Sequence, residues 1–168
     1  MPQNHSYMKK VFHLVLLLFI VSSCTEDVKF NNPAFQGLKD NVFWRATTYK
    51  AYTSTTGNIV IEGSLGFEKV ILKVPSSTAQ TYVLGVDDIS VASYANTVPS
   101  TPAIEFETGT NKGSGQIVIT EYNAENKTIS GTFKFNALNN DETDTENPKV
   151  SFTEGVFYKI ALQTAAEF

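Results

Sequence analysis

Histidine, methionine and cysteine are nearly missing from this 168-residue chain. Its two His, two Met and one Cys all fall in the first 24 positions, as His5, His13, Met1, Met8 and Cys24. From Thr25 onward there is no imidazole and no thiol. Ser-His-Asp and Cys-His mechanisms, His-ligated zinc, haem or non-haem iron, and thiolate clusters are therefore excluded from the body of the protein. A lone cysteine cannot form an intrachain disulfide, so the fold must rest on its core. Positive charge is also scarce: from Cys24 to the end, 145 residues carry 11 Lys plus Arg against 17 Asp plus Glu, a net charge of −6. Without a basic patch, no nucleic-acid partner is expected.

Long apolar runs are missing too, with one exception. Lys9 and Lys10 precede the eleven-residue run Val11 to Val21, broken only by His13 and followed by Ser22 and Ser23. A positive start, a short apolar stretch and a small-residue end make a secretory signal. The run falls short of the ~20 apolar residues a spanning helix needs to cross ~30 Å. Met8, directly before the lysines, offers a second start. Val21-Ser22-Ser23 leads straight into Cys24, an arrangement that resembles the bacterial lipobox, in which the cysteine sulfur takes a diacylglycerol and cleavage makes that cysteine the first residue. Cys24 is the expected lipidation site. Several acyl chains, each burying CH₂ groups worth ~0.8 kcal/mol, hold such a protein on a membrane through its anchor. The expected organisation is a lipoprotein signal peptide over 1–23, a lipidated cysteine and tether over 24–33, and one domain over 34–168. The tether, fully extended, reaches about 30 Å.

From Ala34 the pattern has period two. Over Thr128 to Ala137, Ile129, Gly131, Phe133, Phe135 and Ala137 alternate with Thr128, Ser130, Thr132, Lys134 and Asn136, which puts Phe133 and Phe135 on a buried face. Strands are also expected at Val42 to Tyr52, Asn58 to Glu62, Lys69 to Val74, Gln80 to Leu84, Ile104 to Glu107, Gln116 to Tyr122 and Val150 to Ile160. Asn123 to Lys127 reads as a hairpin loop, Glu154-Gly155 as a bulge, and Asn139 to Pro148 as a mobile loop. Short strands with no helical stripe between them indicate an all-β fold, an antiparallel β-sandwich or flattened barrel of about nine strands.

The lipobox, the strand Val42-Phe43-Trp44-Arg45-Ala46, the hairpin from Ile119-Thr120-Glu121-Tyr122 through Asn126 to Phe133, and the closing Thr153-Glu154-Gly155-Val156-Phe157 resemble a family of small uncharacterised lipoproteins of Bacteroidetes, named only as a domain of unknown function. The resemblance covers nearly the whole chain. It implies an outer-membrane location, at the cell surface or on the periplasmic face, and transfers no catalytic or ligand residue. Glu26 and Asp27, just after the cysteine, resemble the acidic surface-export signal of that phylum or merely solubilise the tether.

Catalytic motifs are few. Gly113-Ser114-Gly115 lacks a base and precedes a strand, so it is a turn. Gly63-Ser64-Leu65-Gly66 lacks a Lys-Ser pair and reads as a bend between strands rather than a phosphate loop. Paired carboxylates are the one hydrolytic apparatus the composition permits, with Asp87, Asp88, Glu105, Glu107, Glu121 and Glu154 as candidates, Glu105 and Glu107 lying on the wet face of one strand. Asp141, Glu142, Asp144 and Glu146 are dense enough for calcium but lack a turn glycine and EF-hand spacing, so a solvated loop is expected and no metal site. Trp44, Tyr49 and Tyr52 form a sugar-stacking platform if they share an exposed face, and core if they do not. No cofactor is expected. The leading expectation is a lipid-anchored, non-catalytic binding or accessory module for a glycan or an envelope protein. The alternatives are a carboxylate-dependent hydrolase and a passive envelope component.

Overall fold

The computed structural model describes residues 34–99 and 102–163. The signal peptide, Cys24 and the tether lie outside the described residues. Eleven strands form: β1 (Ala34–Lys39), β2 (Val42–Arg45), β3 (Thr48–Thr53), β4 (Ile59–Leu65), β5 (Glu68–Val74), β6 (Thr81–Leu84), β7 (Val91–Asn96), β8 (Ile104–Glu107), β9 (Ser114–Asn123), β10 (Thr128–Asn139) and β11 (Lys149–Gln163). Among the described residues there is no helix, and so none long and apolar enough to cross a membrane.

The all-β expectation holds, with eleven strands where about nine were expected. Two strands escaped because small residues blur their alternation. In β1 the inward positions are Phe35 and Gly37; in β7 the sequence Val-Ala-Ser-Tyr-Ala-Asn offers little contrast. One expected strand, Val42 to Tyr52, is two. Trp44 and Ala46 are buried, then Ala51 is, so the inward parity slips by one residue at Ala46–Thr47. Such a slip exchanges the faces of a strand. Here it hands the chain from one half of the fold to the other, with the Ala46 amide donating to the Phe35 carbonyl at 2.9 Å and the Thr47 amide to the Ser64 carbonyl at 2.8 Å.

The strands form one continuous sheet folded into two halves. Sheet I has the order β2-β1-β11-β10-β9-β6 and sheet II the order β3-β4-β5-β7-β8. Two corners join them. β10 outruns β9, so Leu138 and Asn139 pair with Glu107 and Phe106 of β8; β11 outruns β1, so Leu162 and Gln163 pair with Ala51 and Tyr52 of β3. The second corner is parallel, which corrects the purely antiparallel expectation. Its cause is connectivity: β2 and β11 are both antiparallel to β1, and β3 continues β2 after the two-residue jog. The result is a closed ring of β11, β3, β4, β5, β7, β8 and β10, a flattened barrel with β2-β1 and β9-β6 extending sheet I beyond it.

The expected bulge is present. Gln36 pairs with Val156 but Leu38 pairs with Thr153, so Glu154-Gly155 faces the single residue Gly37. Gly155 is required by packing, because a Cβ there would meet the Phe133 ring and carbonyl oxygen. A second bulge sets Ser130 opposite Tyr158-Lys159, where buried Ser130 Oγ accepts the Lys159 amide at 3.0 Å. Bulges bend a strand, and these two let β11 serve both β1 and β3. The hairpin at Asn123 to Lys127 forms as expected. β1 and β2 turn through Asp40 and Asn41, both at positive φ (49° and 67°), as a two-residue primed turn demands. Gly63, Ser64 and Leu65 belong to β4 itself rather than to a bend; the β4–β5 turn is Gly66-Phe67.

An aromatic seam fills the space between the halves. Phe35, Trp44, Phe133, Phe135 and Phe152 come from sheet I, and Tyr94 and Phe106 from sheet II. Ring centroids lie 4.9 Å apart for Phe135 and Phe152, 5.1 Å for Phe35 and Phe133, and 5.7 Å for both Trp44–Phe152 and Tyr94–Phe152. All seven are buried, Phe133 and Phe135 as their alternation requires.

Candidate functional site

Strand register builds two very different outer faces. Across sheet I one row reads Arg45, Gln36, Val156, Thr132, Val118, Thr81 from β2 to β6, and the next reads Phe43, Leu38, the Thr153-Glu154 bulge, Lys134, Gln116, Val83. At a strand spacing of about 4.8 Å, such a row runs about 24 Å. Its charged members are Arg45, Lys134 and Glu154. The rest are Thr and Gln donors and acceptors alternating with apolar side chains, and Phe43 and Val83 are 63% and 58% exposed. The Arg45 guanidinium donates to Gln36 Oε1 at 3.2 Å. At the bulge the face opens into a cleft of about 460 Å³ lined by Gln116, Thr132, Phe133, Lys134, Glu154, Gly155 and Val156.

The outer rows of sheet II are Lys50, Glu62, Ile71, Ser93, Glu107 and Thr48, Ser64, Lys69, Ala95, Glu105, with Lys73 beyond. Lys50 pairs with Glu62 at 3.4 Å, and Tyr52 donates to Glu62 at 2.7 Å. Burial and that carboxylate together push the Tyr52 hydroxyl up to about 12. This face is charged and mutually engaged.

The Trp44, Tyr49 and Tyr52 platform does not assemble. Trp44 is 3% exposed and packs edge-on to Phe35 and Phe152, Tyr49 is half-exposed on β3, and Tyr52 lies on the outer face of sheet II. Nor do the candidate carboxylates converge. Glu105 and Glu107 are exposed on sheet II, whereas Glu121 and Glu154 are exposed on β9 and β11 of sheet I. Asp87 accepts the Ile89 and Ser90 amides as a turn former, and Asp88 accepts the Thr110 amide at 2.8 Å, which lowers its pKa.

The expected mobile loop at Asn139 to Pro148 is pinned instead. Buried Asn139 donates to the Asn147 carbonyl and to Asp144 Oδ2, and its Oδ1 accepts the Asp141 amide. Hydrogen bonds from Thr143 and from Asn147 hold the Asp141 and Asp144 carboxyls below the usual range. Asp141 and Asp144 are thus spent on loop geometry while Glu142 and Glu146 are exposed, beside an open cleft of about 690 Å³ that also reaches Thr110 and Lys112. Among the described residues no group of three or more His, Cys, Asp or Glu side chains is arranged to hold a metal ion.

One polar cluster was not visible in the sequence. Glu68 of β5 accepts Trp44 Nε1–H at 2.6 Å and the Lys39 ammonium at 2.8 Å, and Lys39 also donates to Tyr94 Oη at 3.0 Å. Burial pushes Lys39 down, but its hydrogen bonds to Glu68 and Tyr94 outweigh that and leave its pKa above the ordinary lysine value; burial raises Tyr94. The cluster ties the β1–β2 hairpin of sheet I to β5 and β7 of sheet II. Every member is engaged by another, so it acts as a latch between the sheets. No sequence signal could have found it, since the four residues are separated by up to 55 positions.

The fold and its faces define a flattened, closed β-barrel with one outer face whose central rows carry few charges, a class that names no activity. Residues 31–161 match the family described as Domain of unknown function (DUF6252), and the chain belongs to that family. No curated protein and no solved structure matches it.

Proposed function

We propose that this protein is a lipid-anchored module of the outer membrane in a Bacteroidetes cell, held through Cys24, that binds a glycan non-catalytically on the outer face of sheet I. The observation that carries the ligand reading is the contrast of the two faces. Sheet I presents uncharged hydroxyl and amide groups beside aliphatic side chains and Phe43. That alternation suits the hydroxyls and the C–H faces of a sugar chain. The exposure of Glu105 and Glu107 on the open outer face of β8, away from Glu121 and Glu154 on sheet I, favours binding over hydrolysis, because a glycosidase sets its two carboxyl groups on either side of one bond in a site that holds the sugar. The anchor rests on Val21-Ser22-Ser23-Cys24 closing the only long apolar run.

Two experiments test the two halves of the proposal. Radiolabelled palmitate should enter the wild type and not Cys24→Ala; equal labelling removes the anchor. Calorimetric titration of the detergent-solubilised full chain against a panel of neutral oligosaccharides should detect binding that Phe43→Ala and Gln116→Ala weaken, with Lys69→Ala on sheet II unaffected. An envelope protein is the second reading, favoured by β2 and β6, which end the strand order among the described residues with Phe43 and Val83 exposed on them. It gains if co-purification depends on Phe43 while no sugar binds.

A further inference from the structure

We infer that the cleft at the Glu154-Gly155 bulge receives a zwitterionic group, an ammonium and a carboxylate carried close together on the bound ligand. The inference rests on the reading of sheet I as the ligand face and names what one place on that face selects.

The cleft is lined by one cation and one anion. Lys134 faces the Thr153-Glu154 bulge across the β10–β11 pairing. Opposite charges that are neighbours across a strand ordinarily approach each other. Here they make no ion pair within 4 Å; among the described residues the ion pairs are Lys39–Glu68 and Lys50–Glu62. Among the described residues neither side chain has a hydrogen bond. Gln116 and Thr132, both with unspent polar groups, line the same cleft. An ammonium placed against Glu154 and a carboxylate against Lys134 would complete both charges at once, with Gln116 and Thr132 left to hydrogen-bond the remainder of the ligand.

Backbone conformation supplies the second observation. Glu154 sits at φ 52° inside a strand, in the left-handed region that costs a residue with a Cβ energy. Asp40, Asn41 and Asn111 also have positive φ, but their types tolerate it and they occupy turns; Lys127 has it in the β9–β10 hairpin, and Lys159 at the second β11 bulge, where its amide meets Ser130 Oγ and its ammonium lies over the Tyr158 ring. At residue 154 a glycine would relieve the strain, and among the described residues the Glu154 side chain forms no hydrogen bond or ion pair in exchange. A strained residue whose side chain is structurally idle, aimed at a cleft, is the pattern expected where function retains it.

The test uses the detergent-solubilised full chain and three probes: the dipeptide Ala-Ala, which is a zwitterion, N-acetyl-Ala-Ala, which keeps only the carboxylate, and Ala-Ala-amide, which keeps only the ammonium. Amide resonances of Gly155, Thr132 and Gln116 should move with Ala-Ala and much less with either blocked form. Glu154→Gln and Lys134→Gln should each weaken Ala-Ala about ten-fold, the scale of one lost charged hydrogen bond. Glu154→Gly should abolish selectivity for the free amine while melting no lower than the wild type. Equal response to all three probes, or no response, overturns the zwitterion site; so does a clear drop in melting temperature for Glu154→Gly, which would give that side chain a structural role. If neutral oligosaccharides still bind at Phe43 and Gln116 in either case, the ligand face stands without this site. If nothing binds, both readings fall.

Discussion

The two outer faces of the barrel are made by the same kind of strand over the same core, yet they spend their polar groups differently. Sheet II sets Lys50, Glu62, Lys69, Lys73, Glu105 and Glu107 across five strands, and its Lys50–Glu62–Tyr52 group is self-satisfied. The two central rows of sheet I carry Arg45, Lys134 and Glu154, with Glu121 and Lys149 exposed further along β9 and β11, and among the described residues Lys134 and Glu154 stand unpaired beside a cleft. A face whose charges are hydrated or paired gains nothing by exchanging water for a ligand. One with hydroxyls, amides and exposed apolar atoms gives up less on desolvation.

The largest effect should come from beneath the sheet I face. Phe135→Ala removes a ring stacked on Phe152 and leaves a cavity, costing about 3 to 5 kcal/mol. Lys134→Ala next to it should stay within about ±0.5 kcal/mol. Thermal melts of the two variants check this, and an inverted ranking would exchange the inner and outer faces and end the comparison.

Next is the latch that holds the two faces back to back. Glu68→Ala leaves the Trp44 indole N–H without its acceptor and the Lys39 ammonium with Tyr94 Oη alone, costing about 1 to 3 kcal/mol by denaturant titration. A neutral result would mean that the sheets are joined by their corners and aromatic seam alone.

Alkaline titration separates sheet II and the latch from sheet I. Lys39, Tyr94 and Tyr52 all have raised folded-state pKa values, Tyr52 to about 12. The folded protein therefore holds these protons more tightly than the unfolded chain does. Stability is complete below about pH 10 and falls as pH rises through the folded values. Melting temperature measured from pH 8 to 12 should decline from about pH 10, and Tyr52→Phe should soften the decline.

The smallest effect sharpens the contrast itself. Lys50→Ala breaks a partly exposed ion pair worth roughly 0.2 to 1 kcal/mol, diminishing with salt. Thr132→Ala on sheet I should cost less still and show no salt dependence. If Thr132→Ala proves the more costly, the sheet I face is a structural surface.

The alternation at Thr128 to Ala137 gave the parity of β10 from Gly131 onward, because that stretch has one apolar and one polar face; Ser130, expected on the wet face, is buried at the second bulge, where the register shifts. The bulge at Glu154-Gly155 was legible because Glu154 could not share a buried face with Phe152, but it shifts the parity so that Phe157 turns inward and Val156, expected beside Phe152, lies on the outer face. Trp44 was expected as core or platform, and only its partners Phe35, Phe152 and Glu68 decided for core. Strands β1 and β7 were hidden by small residues. The jog at Ala46–Thr47 was hidden because a parity slip looks, along the chain, like ordinary noise in the pattern.

By itself the sequence determined the class: an all-β fold, without imidazole or thiol chemistry beyond position 24, behind one short apolar run ending at Cys24. These follow from composition and period, which are properties of consecutive residues. Only the tertiary structure decided that the sheet closes through a parallel β11–β3 corner, that Glu68 serves as a latch, and that Lys134 and Glu154 share a cleft. Each of these depends on which strands become neighbours. Strand neighbours are chosen by burial of the whole aromatic seam, a sum over both sheets that no local window contains.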